Sequence, residues 1–151
     1  MVTREQIVAE ARSWLGTRWQ HQASTKGVAC DCVGLVRGVA IEVGAFPRDW
    51  ESLPGVKQFV GYGRLPNNGL LELGCSLFTE QVSEADAGPG DLVLMEFNRR
   101  AHHMGILGTH PNGGLSIIHA YAPCRRVVES RLDERLRSIV ISWHRFPGVD
   151  A

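Results

Sequence analysis

The sequence has no excess of charge of either sign. Sixteen lysine and arginine residues balance sixteen aspartate and glutamate residues in a chain of 151 residues, so the formal net charge is +0. Proteins that bind nucleic acid usually carry a basic excess that captures phosphates, and polybasic segments dock on anionic membranes. We therefore expect neither nucleic acid nor a membrane surface as a partner.

Long apolar runs and a disulfide framework are also lacking. The apolar stretches are far shorter than the ~18 residues of a spanning helix, and the N-terminal MVTREQ lacks the apolar core of a signal peptide. We expect no membrane span, a start near Met1 and synthesis in the cytoplasm. Four cysteines (Cys30, Cys32, Cys75 and Cys124) are too few and too irregularly spaced for a disulfide scaffold, so each is core filler, ligand or nucleophile.

What the chain does contain is the composition of a globular domain. Apolar residues make up 44% and charged residues 21%, and the length predicts one domain over residues 1–151. The patterning predicts helices at 4–15, from Asp31 to before Gly44, at 56–62, at 70–78 and, capped by Ser130, at 132–136. It predicts strands at 92–95, 104–107, 115–118, 126–129 and 139–143. This order indicates an α+β fold, with N-terminal helices packed on an antiparallel sheet of about five strands.

The second predicted helix begins with a cysteine. Asp31 is a good N-cap residue, which places Cys32 at the first helical position beside the positive end of the helix dipole. That position is expected to lower the thiol pKa, as a nucleophile requires, and Gly34 is expected to leave one side open for a substrate. The alternative is a Cys32 that only packs in the core. We interpret Cys30 as structural.

Cys75 and Cys124 have no polar setting in the sequence and are interpreted as packing residues. Two of the six histidines lie in the turn and at the end of the last strand, and we expect both, His110 and His144, to be solvated. His21 lies in the loop before Cys32 and is expected to line the same cleft.

A base for the cysteine is available on a predicted hairpin. If the strands at 104–107 and 115–118 are symmetric about Pro111, His103 lies directly opposite His119. Side chains so placed have Cβ atoms roughly 4.5–5.5 Å apart, which suits one imidazole as base and the second as its orienter. By strand alternation, His102 points to the other face, towards solvent or as a cover of the sheet. The alternative is that these are ordinary strand histidines.

Zinc is a further possibility for the cysteine and histidine cluster. Five potential ligands occur in it: Cys30, Cys32, His102, His103 and His119. The Cys-x-Cys spacing lacks the second pair of a structural zinc site, and adjacent strand histidines diverge. We therefore expect no metal.

Five segments in this order resemble the NlpC superfamily of papain-like cell-wall cysteine peptidases. GTRW at 16–19 is similar to the family's GTPY, DCVGLV at 31–36 to its DCSGLV, and PGDL at 89–92 to the strand that opens its sheet. HMGI at 103–106 and IHA at 118–120 are similar to its two histidine strands. The resemblance implies a papain-like fold with Cys32 as nucleophile, His103 as general base and His119 as its orienter. It also implies cleavage of γ-D-glutamyl–diamino acid bonds in peptidoglycan stem peptides, with no cofactor.

The segment before the nucleophile departs from that pattern. Trp19 replaces the usual tyrosine, and Gln20, His21 and Gln22 stand where paired glycines are usual; Val33 replaces a common serine. We expect Trp19, the three residues at 20–22 and Asp31 to contact substrate, with one of the side chains at 20–22 joining the Cys32 amide in an oxyanion hole. The sequence does not choose among the three.

The segments WQHQAS at 19–24 and CDC at 30–32 resemble those of a branch of this superfamily found in phages and gene transfer agents. That branch implies a tail-associated cell-wall peptidase with phage-tail proteins as partners, located on the virion. Two alternatives remain open. One is a catalytically inactive structural or binding component of a tail assembly, and the other is a delivered cell-wall-degrading toxin effector.

Overall fold

The computed structural model describes residues 1–54, 70–97 and 101–150. The helices are α1 (Arg4–Ser13), α2 (Cys32–Glu42), α3 (Leu70–Phe78) and α4 (Glu134–Ser138), with short 3₁₀ turns at Trp50–Ser52, Glu84–Asp86 and Ala122–Cys124. The strands are β1 (Arg18–Trp19), β2 (Ser24–Thr25), β3 (Ala29–Cys30), β4 (Glu80–Val82), β5 (Leu92–Phe97), β6 (Ala101–Thr109), β7 (Leu115–Tyr121), β8 (Arg126–Arg131) and β9 (Val140–Arg145).

The first two helices begin at capping residues and pack on each other. Thr3 and Gln6 form a capping box at the start of α1, which satisfies two amides that the helix leaves unpaired. Trp14 lies against Gly38 of α2 so closely that a Cβ at Gly38 would overlap the indole ring. The close approach of α1 and α2 therefore requires glycine at that position.

The strands form a single sheet in the order β2-β3-β1-β8-β7-β6-β5-β9-β4. All neighbouring strands are antiparallel except β1 and β3. The α+β prediction is confirmed, and the five predicted strands are β5 to β9. The number of strands was wrong, because β1 to β4 are only two or three residues long and so show no alternation that a sequence pattern could reveal.

Each face of the sheet has its own core. Residues such as Leu94, Met104 and Ile106 pack against α1 and α2, whereas Val93 and Leu107 belong to a second cluster on the opposite face, beside Trp143 and Leu132. Alternate residues of β5 and β6 thus point into different cores, as strand geometry requires.

Of the three helices predicted after residue 55, the structure tests two. The helix at 70–78 is confirmed as α3, and the interval 56–62 lies outside the described residues. The helix expected at 132–136 runs instead over Glu134–Ser138, and Asp133 caps it by accepting from the Leu136 amide, so Ser130 is not its cap. Over the described ranges, no helix has both the length and the apolar character to cross a membrane.

Candidate active site

Asp31 fixes the start of α2 and, with it, the position of Cys32. One carboxylate oxygen of Asp31 accepts from the Gly34 amide at 2.7 Å, and the other accepts from the Gln22 amide at 2.7 Å. The residue is only 3% exposed. The N-cap prediction is therefore confirmed, and the same carboxylate also anchors the loop that precedes the cysteine.

The thiol of Cys32 is buried beside the strand that carries His103. Only 6% of the residue is exposed, and the nearby backbone amides of Met104, Val33 and Cys32 itself favour the thiolate. Burial and the negative charge of Asp31 raise the pKa of Cys32 to about 12, although the amides act in the opposite direction. The expected lowering of this pKa was wrong, because loss of hydration outweighs the helix amides. The resting thiol is protonated at neutral pH.

Two imidazoles meet on the face of the sheet that carries the second core. Nε2 of His103 lies 2.7 Å from Nδ1 of His119, and both residues are buried. The predicted pairing of these two histidines is confirmed. Burial, together with His119, lowers the pKa of His103 to about 3, and burial lowers the pKa of His119 to about 4. Both rings are therefore neutral at pH 7.

The register of the hairpin differs from the symmetric one that the sequence indicated. Ile106 pairs with Ile118 and Thr109 with Leu115, so the centre lies at residue 112 rather than at Pro111. The turn contains Gly113 and Gly114, both at positive φ, and these glycines place its centre one residue later. A shift of two positions in the pairing keeps both histidines on one face, so they meet diagonally.

Gly105 provides the space for that diagonal contact. A Cβ at Gly105 would overlap the side chain of Ile117 and lie 3.3 Å from the Cβ of His119. A side chain there would occupy the space through which the two rings meet. This glycine is a site residue that sequence reasoning missed, and its signal was a glycine inside a predicted strand.

Aromatic rings cover the imidazole pair. Tyr121 stacks on His119 with ring centroids 4.9 Å apart, and Phe97 and Tyr121 lie 5.8 and 5.9 Å from the His103 ring. These rings exclude water, which explains the low pKa values of both histidines.

The loop between β1 and α2 lies beside Cys32. Trp19 pairs with Cys30, and the Gln20 amide donates to the Cys30 carbonyl at 3.1 Å. Gln22 adopts a positive φ of 60° where Asp31 holds its amide. The loop containing Trp19, Gln20, His21 and Gln22 thus follows one side of the start of α2.

Gly34 does not leave that side open to a substrate, as the sequence had suggested. A Cβ at Gly34 would collide with the carbonyl of Ala23, and Ser24 Oγ donates to the Gly34 carbonyl at 2.7 Å. The glycine therefore serves the close packing of the loop on α2.

Of three residues outside this cluster, two lie where the sequence did not place them and one lies as predicted. His144 is buried and bonds Thr79 and Ser142, so the prediction of a solvated ring was wrong. Cys124 is exposed and does not pack, because it ends the 3₁₀ turn after β7. His102 covers the sheet as expected, with Nε2 3.1 Å from a Glu72 oxygen.

Two sequence predictions remain, the burial of the other cysteines and the zinc alternative. Cys30 and Cys75 are buried, as core residues are expected to be. Across residues 1–54, 70–97 and 101–150, no group of three or more histidine, cysteine, aspartate or glutamate side chains is placed to hold a metal ion.

Comparisons with solved structures place this architecture among known folds. The chain superposes with a TM-score of 0.59 on the NlpC/p60 domain of peptidoglycan hydrolase SagA, at 21% identity, covering 93% of this chain and 97% of that one. The chain has the NlpC/P60 fold. An NLP/P60-family protein similar to lipoprotein from Staphylococcus aureus subsp. aureus Mu50 gives a TM-score of 0.60 at 17% identity. That alignment covers 95% of this chain but only 41% of the Staphylococcus one.

A third similar structure is that of an amidase. An N-acetylmuramoyl-L-alanine amidase from Bacteroides uniformis ATCC 8492 has a TM-score of 0.57 at 13% identity, with 94% of this chain and 97% of that chain covered. No protein-family profile and no curated protein sequence matches the chain. At these identities the likeness establishes the fold.

Proposed function

We propose that the protein is a cysteine peptidase or amidase that hydrolyses peptide bonds in bacterial peptidoglycan. Cys32 is the nucleophile, His103 the general base and His119 the residue that orients it. The observation that carries the proposal is the buried 2.7 Å contact between the imidazoles of His103 and His119, of which His103 lies on β6, the strand beside Cys32. The Met104 amide, which favours the thiolate of Cys32, belongs to the residue after His103.

Hydrogen bonding determines which ring nitrogen of His103 takes the proton. Nε2 of His103 is engaged with Nδ1 of His119, so only Nδ1 of His103 remains to act as the base. A base needs an unprotonated Nδ1, which places the hydrogen on Nε2 and makes His119 the acceptor. His119 thereby holds the His103 ring in one tautomer and accepts from it after protonation.

The two neutral groups indicate the order of events. Since the Cys32 thiol is protonated at rest, its proton moves to His103 as the sulfur attacks the amide carbon. The imidazolium then protonates the leaving amine, the C–N bond breaks and a thioester remains on Cys32. His103 next takes a proton from water, whose oxygen attacks the thioester; the C–S bond then breaks, the acid leaves and the imidazolium returns its proton to the Cys32 sulfur. The Cys32 amide at the start of α2 stabilises the oxyanion, aided by a donor from Gln20, His21 or Gln22.

The substrate is proposed to be the peptidoglycan stem peptide, cut at its γ-D-glutamyl–diamino acid bond without a cofactor. Support comes from the fold shared with the domain of peptidoglycan hydrolase SagA and with a muramoyl-alanine amidase. Trp19 and Asp31 would contribute to the substrate side of the cleft, Trp19 directly and Asp31 by holding the loop at Gln22.

Digestion of purified peptidoglycan tests this proposal and identifies the bond. Products are separated by liquid chromatography and their masses measured for the wild type, Cys32→Ala and Cys124→Ala. We expect identical fragments from the wild type and Cys124→Ala, because that thiol is exposed and takes no part in the proposed chemistry, and none from Cys32→Ala. Equal products from Cys32→Ala, or none from the wild type, would refute the assignment.

The proposed setting is a phage tail or gene transfer agent particle, on the resemblance of residues 19–24 and 30–32 to that branch. Immunodetection of the chain in purified particles, compared with the soluble fraction of the same cells, tests it. Absence from the particles would favour a delivered effector or another location.

A further inference from the structure

Two arginines continue the row of site residues across the sheet. In the pairing of β7 with β8, Tyr121 lies opposite Arg126, and in the pairing of β1 with β8, Arg126 lies opposite Arg18. Directly opposed residues project to the same face. Both arginines therefore lie on the face that carries Tyr121 and the imidazole of His119, at distances of about one and two strand spacings of ~4.8 Å.

Both guanidinium groups lack an acidic partner. Over residues 1–54, 70–97 and 101–150, no carboxylate lies within ion-pair distance of Arg18 or Arg126, whereas five other arginines have one. The stretches 55–69 and 98–100 contain no aspartate or glutamate. Both arginines are exposed, so they are accessible to a ligand in solution.

A bound anion would relieve the repulsion between the two opposed guanidinium groups. Like charges directly opposed on neighbouring strands repel and destabilise the sheet. The nearest polar ring along the row, Tyr121, already packs on the imidazole pair. An anion held here would lie on the same face as the two imidazoles, one or two strands away from His119.

We propose that Arg18 and Arg126 form a binding site for a carboxylate of the substrate peptide. This inference rests on the proposed function for the substrate class. Guanidinium groups bind carboxylates through two parallel hydrogen bonds, which fixes orientation as well as charge. The pair thus selects peptides with a free carboxylate near the cleaved bond and positions that bond at Cys32.

Binding to the full-length Cys32→Ala protein tests the site without turnover. The probes are L-Ala-γ-D-Glu-diaminopimelate and its analogue in which the glutamyl α-carboxylate is an amide, with affinities measured by calorimetry. We expect the acid to bind roughly tenfold more tightly than the amide. Adding Arg18→Gln and Arg126→Gln should abolish the preference, whereas Arg135→Gln, an exposed arginine of α4, should preserve it. Circular dichroism verifies that each variant folds.

The outcomes separate this inference from the proposed function. Equal affinities for the two peptides, no binding of either, or a preference that survives loss of both arginines overturns the carboxylate site. If the wild type still cleaves peptidoglycan in those cases, the proposed hydrolase function is supported. A charge preference that requires both arginines, in a protein that cleaves neither peptide, supports the site and overturns the hydrolase.

Discussion

Acidification should destabilise this protein through its buried imidazole pair. His103 and His119 stay neutral when folded, because burial lowers the pKa of His103 to about 3 and that of His119 to about 4. Once unfolded, each ring titrates near its ordinary value of 6.5. Between these values the unfolded chain binds more protons than the folded one, so stability falls as the pH drops below 6.5.

The size of the effect follows from linkage and does not depend on how low the folded values are. At pH 5.5 protonation stabilises each unfolded ring by about 1.4 kcal/mol, against about 0.2 kcal/mol at pH 7. Each histidine therefore lowers the free energy of unfolding by about 1.2 kcal/mol, and the pair by about 2.5 kcal/mol. A folded pKa anywhere below about 4.5 gives nearly the same result.

Urea denaturation at pH 7.0 and 5.5 measures this loss. We expect it in the wild type and in His110→Gln, whose ring lies in the exposed hairpin turn. In the double variant His103→Gln with His119→Gln, the loss should shrink by about 2.5 kcal/mol. In the folded wild type, NMR titration should show that neither imidazole of the pair is protonated above pH 5. An unchanged pH dependence in the double variant, or a ring that titrates near 6.5 in the folded state, would refute this reasoning.

Three further predictions concern the loop, the helix start and the thiols. Asp31→Ala should lower the free energy of unfolding by about 2–3 kcal/mol and reduce hydrolysis, because the buried Gly34 amide and the part-buried Gln22 amide lose their acceptor; Asp133→Ala, an exposed cap, should cost about 1 kcal/mol and leave hydrolysis intact. Gly34→Ala should lower the melting temperature by several degrees or prevent folding, since its Cβ meets the Ala23 carbonyl; a drop of less than one degree would contradict this. Burial raises the pKa of the Cys30, Cys32 and Cys75 thiols to about 12. Above pH 9 these thiols ionise in the unfolded chain but not in the folded protein, so the free energy of unfolding should be lower at pH 10 than at pH 8, which denaturation at the two pH values measures.

Local rules predicted the elements whose signals are contained in a few neighbouring residues. The N-cap at Asp31 depends on a hydrogen bond to an amide only three positions away. The alternation along β5 to β9 was equally local. These signals sufficed for the α+β class and for the pairing of the two histidines.

Features that depend on contacts distant in sequence were not predicted. The strands β1 to β3 are too short to have a pattern and form because the loop folds back on β8. The burial of His144 depends on Thr79, 65 residues away. The pKa of Cys32 depends on how completely strands and helices exclude water from it, which a helix-dipole argument alone does not contain.

The central claim is that Cys32 and His103 perform the hydrolysis together. Initial rates of cleavage of L-Ala-γ-D-Glu-diaminopimelate by the wild type, Cys32→Ala and His103→Ala, each verified as folded, test it most directly. Removing either member of a nucleophile–base pair typically costs 10³-fold or more in rate, and we predict a loss of that order for both variants. Rates within about tenfold of the wild type for either variant would contradict the account.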